Sequence, residues 1–540
     1  MNHGRVLVYL GGTIRTMDVG NPTVNAVVTV GDRILYVGGE SEARRLAGRE
    51  STVHDLLGAC LLPGFVDAHT HPLMLGQCTS WADLTGIGNA DVLIARLRDH
   101  AASLPADAPI RGFGYDQHLF PEGRHPTAAQ IDAVVAGRAV VIMHASGHGY
   151  VANHVALREA GITSDTPTPP GGLIGRDDNG HLDGRVFDAA CDLLTGVGGV
   201  KIANHGPNFH LSDDPDVLLE HLLSAQQMLF AAGITSVGDA QVTDREMQVY
   251  LHARARGVWQ LRVSMMMLSS HLPFLESLGL TAGFGDDTLR IAGVKFYADG
   301  SLISGTAYLP CGCGGEHGHL YHSFEELAAL IEQAHRLGFQ TMTHAQGETP
   351  IGVVLDAIDD AQRRAPRADA RHRIEHCGLP SDEQIARMRA LGAWPIPQPT
   401  QVWQYGAGIR RERGEMAERM YPSGFYERAG VPVVLSSDVP VTMPDVMRSM
   451  WAAVTRSTLG GDVLGPQCAI SMATALAGYT IRGAESLHRD SVVGSLTAGK
   501  LADLVIVDRD PLTVPVGKVP GLTVLRTTIG GSTVWSADSR

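Results

Sequence analysis

Apolar residues occur along this chain in short continuous runs separated by longer amphipathic stretches. The runs at 140–146 (VVIMHAS), 234–240 (ITSVGDA), 260–267 (QLRVSMMM), 339–345 (FQTMTHA), 372–377 (HRIEHC) and 432–438 (PVVLSSD) carry little charge. Strands covered on both faces read this way, because neither side of the pleat meets water. Segments 216–232, 324–337 and 382–391 show helical spacing between several of them. Strands alternating with helices predict βα units and a parallel sheet, here closed into a (β/α) barrel.

The two ends are patterned differently. RVLVYLGGTIRTM, AVVTVGDRILYVGG and STVHDLLGACLLPG at the start, and GSLTAGKLADLVIVDRDPL with VLRTTIGGSTVWSA at the end, are apolar pieces punctuated by Gly-Gly, Gly-Asp and Pro-Gly. Such punctuation marks hairpins, so both ends are expected to build one small β domain. The expected limits are 1–62 and 488–540 for that domain and 63–487 for the barrel. From about 101 to 209 the alternation is broken by Gly- and Pro-rich pieces such as TPTPPGGLIGRDDNGHLDG, which predicts an insertion: a cover over the barrel mouth, or a surface subdomain. Residues 404–425, rich in charge, read as a second lid element or as a solvated helix.

Size and charge narrow the function classes. The chain has 540 residues, 44% of them hydrophobic, and a formal net charge of -14. That sign argues against nucleic acid or an anionic membrane as partner. No run reaches the roughly 18 apolar residues of a membrane span, and the opening MNHGRVLVYLGGTIRTMD reads as a strand and turn rather than a signal peptide. Seven irregularly spaced cysteines do not form a disulfide framework, so a cytoplasmic location is expected. A small-molecule substrate is the expected partner, and a homo-oligomer is compatible with these features.

Chemistry concentrates at the predicted strand ends. LPGFVDAHTHPL puts His69 and His71 two apart at the end of a strand, where i and i+2 project to one face and both imidazoles can reach one ion. Active-site residues of such barrels lie at these ends. Four further ends carry Lys295 (VKFYADG), His344 (TMTHAQG), His376 (RIEHCG) and Asp438 (LSSDVP). Each alone suits a structural role, but five ends together point to a metal centre. Lys295 is the oddest of them. It is one of four lysines among 43 basic residues, and it sits inside an apolar strand, where an ammonium needs a partner, a shifted pKa or a modification. Tyr115 and Asp116 could line the barrel mouth, although an aromatic at a strand end also suits packing. Cys311 and Cys313 in PCGCGG could bind a soft metal, although a Gly-rich loop explains them better.

The order His-x-His, Lys, His, His, Asp followed by VGSLTAGKLADLVIVD resembles the amidohydrolase superfamily. More narrowly, GYDQHLFPEGRHPTAAQID, SGHGYVANHVAL, VKFYADGSLISGTA and RIEHC resemble amidohydrolase family 3, also called YtcJ-like, which includes N-substituted formamide deformylases. The resemblance implies a distorted TIM (β/α)8 barrel with a β-sandwich from both termini. It implies two divalent ions, zinc first, with manganese, iron or nickel also fitting the donors. His69, His71 and Asp438 would hold one ion, His344 and His376 the other, and N6-carboxylated Lys295 would bridge them. It further implies attack by metal-activated hydroxide, with Asp438 as general base and then acid, on a C–N bond of N-substituted formamides or N-acyl amines, and it gives His148 in SGHGYVAN a substrate-facing role, a structural turn histidine being the other reading. Alternatives at the same site are a cyclic amide, carbamate, ester or amidine, and from another class a non-catalytic binding protein. HAQGE departs from the family, which commonly has Asp at the place of Glu348; a contact behind the site is expected of the longer side chain.

Overall fold

The computed structural model describes residues 5–135, 137–195, 199–309 and 318–539. Seven parallel strands follow one another in chain order around a central sheet: β1 (Phe65–Thr70), β2 (Ile234–Val242), β3 (Arg262–Leu268), β4 (Leu289–Tyr297), β5 (Gln340–Ala345), β6 (Arg373–His376) and β7 (Trp394–Ile396). Helices Pro215–Ala231, Phe324–Arg336 and Asp382–Leu391 fall where the periodicity predicts them. The last two begin with capping boxes at Ser323/Glu326 and Ser381/Gln384, in which the serine hydroxyl and the residue three further on satisfy otherwise unpaired helix amides.

The expected strand at 432–438 is not formed. This segment is mostly buried, and the one ladder bridge near it, Thr70 to Val439, lies just beyond its end. Its amides are engaged otherwise: Ser437 N–H donates to the Asp67 carboxylate (3.0 Å) and Asp438 N–H to the His69 carbonyl (3.0 Å). It nevertheless lies between β1 and β7, since Val434 packs with Ala68, Trp394 and Ile396 and Gln398 Nε2 donates to Ser436 Oγ at 2.9 Å. The barrel is therefore closed by side-chain bonds and a few isolated backbone bonds to β1 where an eighth strand would stand, a distorted TIM barrel.

Both termini meet in a β-sandwich. One sheet takes Val6–Leu10, Ala26–Val30, Arg33–Gly38 and Thr52–Asp55; the other joins Thr13–Arg15, Thr23–Val24 and Cys60–Pro63 to the C-terminal strands Leu504–Val507, Val524–Ile529 and Ser532–Ser536. Leu7, Tyr9, Ile34, Leu61, Leu496 and Leu504 fill the space between them. A further six-stranded mixed sheet runs from Ala82–Asp83 through Ile110–Tyr115, Val140–His144, Gly149–Ala152 and Leu182–Asp188 to Gly172–Arg176. Among the described residues, no helix is long and apolar enough to cross a membrane. Cys311 and Cys313 lie outside the described residues.

Candidate metal centre and active site

The pleat of the barrel strands determines which side chains converge. On β1, Asp67 and His69 share one face, and His71 follows at the start of helix Pro72–Cys78. Along β4 to β6 the register pairs Lys295 with Met342, Tyr297 with His344, Met342 with Arg373 and His344 with Glu375. Paired positions of a parallel ladder lie on the same side, so Lys295, Tyr297, His344, Arg373 and Glu375 share a face. Alternation would send His376 the other way, but its φ of 66° breaks the strand geometry there. Asp438 likewise has φ of 60°. Positive φ at non-glycine residues is strained, and such strain collects at functional sites.

These residues line one cavity: His69, His71, His344, His376, Asp438 and Tyr297 from the barrel, with Ser146, Gly147 and His148 from the six-stranded sheet. His69, His71 and Asp438 each offer a ligand atom within 4.8 Å of the others. Asp438 Oδ1 is 3.5 Å from His69 Nε2 and 3.4 Å from His71 Nε2. His376 lies beside them, its ring centroid 4.8 Å from that of His69 and 4.4 Å from that of His344. Five of the six predicted ligands are thus brought together around this cavity. Lys295, fully buried, extends its Nζ over the Tyr297 ring at 4.6 Å from the centroid.

The donor set fits divalent metal. Among the described residues, the buried atoms His71 Nδ1, His344 Nδ1 and Lys295 Nζ have no hydrogen-bond partner, a costly arrangement unless an ion or modification completes it. Burial holds His69 well below the usual imidazole value, with the Lys295 charge next in effect. His344 and His376 are pushed the same way, by burial first and then by neighbouring imidazoles. Neutral rings are the form that ligates. Burial also lowers Lys295 to about 8, against the opposing pull of Glu375 and Asp438.

Sequence reasoning missed the residues that orient this set. Glu375 accepts from His69 Nδ1 at 2.5 Å and from Arg373 through Nε (2.7 Å) and Nη2 (2.8 Å). That bond places the proton of His69 on Nδ1 and leaves Nε2 for a metal, the carboxylate–histidine–metal arrangement. Gln401 Nε2 donates to Asp438 Oδ2 (2.8 Å) while its Oε1 accepts from Tyr421 Oη (2.6 Å), so Oδ1 is the oxygen turned towards His69 and His71. Asp67 accepts from both the amide and the hydroxyl of Ser437, and burial raises it to about 7. Asp299, raised by burial to about 8, accepts from the amides of Tyr308, Gln346 and Gly347 and ties two loops at the rim. The available signal was the inward pair R-x-E in RIEHC; the other contacts join residues far apart in sequence.

Several predicted positions lie elsewhere. Tyr115 is buried with its hydroxyl on His125 Nδ1 (3.0 Å), and Asp116 bonds His118; neither lines the cavity. Glu348 is exposed in the first turn of helix Glu348–Arg364, so the expected contact behind the site is not made by its side chain. In helix Pro399–Arg413, Arg410 pairs with Glu418 and Arg411 donates to the His118 carbonyl. That helix is no free charged rod: its first half, with Gln401 and Tyr405, is buried.

The comparisons agree with this geometry. Residues 52–535 match the model of the Amidohydrolase family. The N-substituted formamide deformylase of Arthrobacter pascens is 31% identical, covering 98% of each chain. The putative amidohydrolase YtcJ of Bacillus subtilis (strain 168) is 25% identical over 98% of this chain and 99% of its own. Among solved structures, an uncharacterized metal-dependent hydrolase from Pyrococcus horikoshii OT3 superposes with a TM-score of 0.75 at 26% identity, covering 95% of this chain and 99% of its own. With the His-x-His strand end, the buried lysine and the two further histidines already in place, a match of this length leaves one conclusion: the chain belongs to the amidohydrolase family.

Proposed function

We propose that this chain is a metal-dependent hydrolase of amide C–N bonds, acting on N-substituted formamides or other amines carrying a small acyl group. The observation that carries the reading is the convergence of His69, His71 and Asp438 beside His344 and His376, with Glu375 fixing the first imidazole. The full-length similarity to a formamide deformylase supports a formyl group.

His69, His71 and Asp438 would hold one divalent ion and His344 with His376 a second, zinc being the best match to these nitrogen and oxygen donors. Bound there, the ions would supply Lewis acidity, acidifying a water and polarising the substrate carbonyl. Lys295 would join them as a carbamate: its neutral amine attacks carbon dioxide, an N–C bond forms, and one proton is released. A pKa near 8 supports this, because it leaves an appreciable fraction of free amine at neutral pH. The product is an anion with two oxygens, which arginine could not form. Asp438 accepts the proton of the attacking water and delivers it to the departing nitrogen. Gln401 occupies one lone pair of Oδ2 and leaves the other for that proton. A cytoplasmic site of action is supported by the free thiols Cys60, Cys78, Cys191, Cys377 and Cys468.

The test is a panel of N-formyl, N-acyl, cyclic amide, carbamate and ester substrates given to the metal-loaded protein. Release of amine and formate from an N-substituted formamide, lost on chelation and restored by zinc, is expected. Turnover of the cyclic amide or ester alone would replace this reading with its alternatives.

A further inference from the structure

The wall of the cavity contributed by the six-stranded sheet contains a buried carboxylate that the reaction as described does not use. His148 stands in the link between strands Val140–His144 and Gly149–Ala152, and Asp188 ends strand Leu182–Asp188. The two strands are antiparallel neighbours with Gly149 opposite Phe187. Asp188 N–H donates to the His148 carbonyl at 2.7 Å, which sets the two side chains next to each other. His148 Nδ1 is 2.9 Å from Asp188 Oδ1, and Tyr321 Oη donates to the same oxygen at 2.9 Å.

Packing alone does not account for Asp188. It is fully buried, and among the described residues its Oδ2 has no hydrogen-bond partner, His319 Nε2 being 4.0 Å away. Its backbone, at φ 53° and ψ -128°, is in a region a residue with a Cβ enters only under strain. A buried carboxylate in a strained backbone is costly, and its shortest imidazole contact leads to a ring that lines the cavity, 5.0 Å from the His344 ring centroid.

A carboxylate only accepts, and Tyr321 already donates to it, so the proton of a neutral His148 belongs on Nδ1. Nε2 then carries the lone pair. Building on the hydrolase reading above, we infer that His148 binds the N–H of the scissile amide through Nε2, with Asp188 as the positioning residue that sets its tautomer, so that the enzyme selects amides bearing an N–H. An N,N-disubstituted amide presents no hydrogen and leaves Nε2 unpaired. Sites built to hydrogen-bond a substrate group reject analogues lacking it far more strongly than hydrophobic pockets discriminate shape.

The experiment compares kcat/KM for N-butylformamide and N-butyl-N-methylformamide in the zinc-loaded full chain, in His148→Ala and in Asp188→Gly. Glycine suits the Asp188 backbone, so that variant removes the carboxylate while relieving the strain. The wild type is expected to favour the N–H substrate by on the order of 10²-fold, the scale of one unpaired buried polar group. Both variants should lose most of that ratio while keeping their zinc content. Nitrogen-15 spectra of labelled histidine, with the His148 signals identified by their loss in His148→Ala, should show Nδ1 protonated in the wild type and a shift towards the other tautomer in Asp188→Gly. Equal turnover of the two formamides by the wild type, or a ratio unchanged in both variants, overturns the inference and leaves the hydrolase reading standing. Failure of the zinc-loaded wild type to cleave any amide would instead remove the hydrolase reading itself.

Discussion

Glu375→Gln tests whether this buried carboxylate, besides pairing with Arg373, orients His69 for a metal. Arg373 and Glu375 are both 0% exposed and joined by two bonds of 2.7 and 2.8 Å, while the same carboxylate takes His69 Nδ1 at 2.5 Å. Glutamine keeps the shape and one acceptor oxygen but removes the charge. Breaking a buried ion pair from one side typically costs ~3–5 kcal/mol, because the remaining guanidinium is left uncompensated. Loss of a carboxylate behind a ligating histidine costs about 10- to 100-fold in metal affinity, equivalent to ~1.4–2.7 kcal/mol. Thermal unfolding and competitive zinc titration read the two effects separately. Adding Arg373→Met to Glu375→Gln removes the orphaned charge, so the double variant should regain stability yet keep the weakened zinc binding. A single variant that binds zinc as tightly as the wild type would refute the role given to Glu375 in orienting His69.

The other predictions concern the proposed bridge, the neighbour of the proposed acid–base residue, and the barrel core. Lys295→Met should lower bound metal from two ions to one per chain by plasma mass spectrometry and abolish the carbon dioxide adduct in native mass spectra; two ions retained would exclude a bridging role. Gln401→Leu should reduce kcat by about 10- to 100-fold, the scale of one hydrogen bond to a charged group, with KM nearly unchanged. An equal rise in KM would place its effect on binding instead. Asp239 accepts from Tyr250 Oη at 2.6 Å, and burial raises it to about 7. The folded protein therefore holds a proton between pH 4 and 7 that the unfolded chain has lost, and stability falls as pH rises through that window. Asp239→Asn should gain stability relative to wild type from pH 4 to 7, approaching ~4 kcal/mol for about three pK units; a difference independent of pH would contradict this.

What could be read in the sequence was what repeats locally. Buried parallel strands are apolar on both faces, so most barrel strands were visible as runs, and i, i+2 spacing placed His69 and His71 on one face. Histidine or lysine at the ends of β4, β5 and β6 stood out because ligand-type groups are rare in such runs. The run 432–438 misled because it has the composition of a strand, while its pairing is taken over by Asp67 and the His69 carbonyl. Asp188 and Gln401 were invisible for another reason: their partners His148 and Asp438 are 40 and 37 positions away and meet them only after folding. Tyr115 and Asp116 stand at the end of strand Ile110–Tyr115, which belongs to the six-stranded sheet and not to the barrel, so Tyr115 turns to His125 and Asp116 to His118.

In the proposed reaction Asp438 would join the metal ligands to the proton transfer, since Oδ1 faces His69 and His71 while Oδ2 meets Gln401. Asparagine retains an oxygen for the metal and cannot carry the proton. The most direct test is therefore the turnover of an N-substituted formamide by Asp438→Asn at measured zinc content. Metal retained with kcat lowered by ~10²–10⁴-fold, the range of general acid–base catalysis, is the predicted result. Full activity in the metal-loaded variant would contradict the assignment.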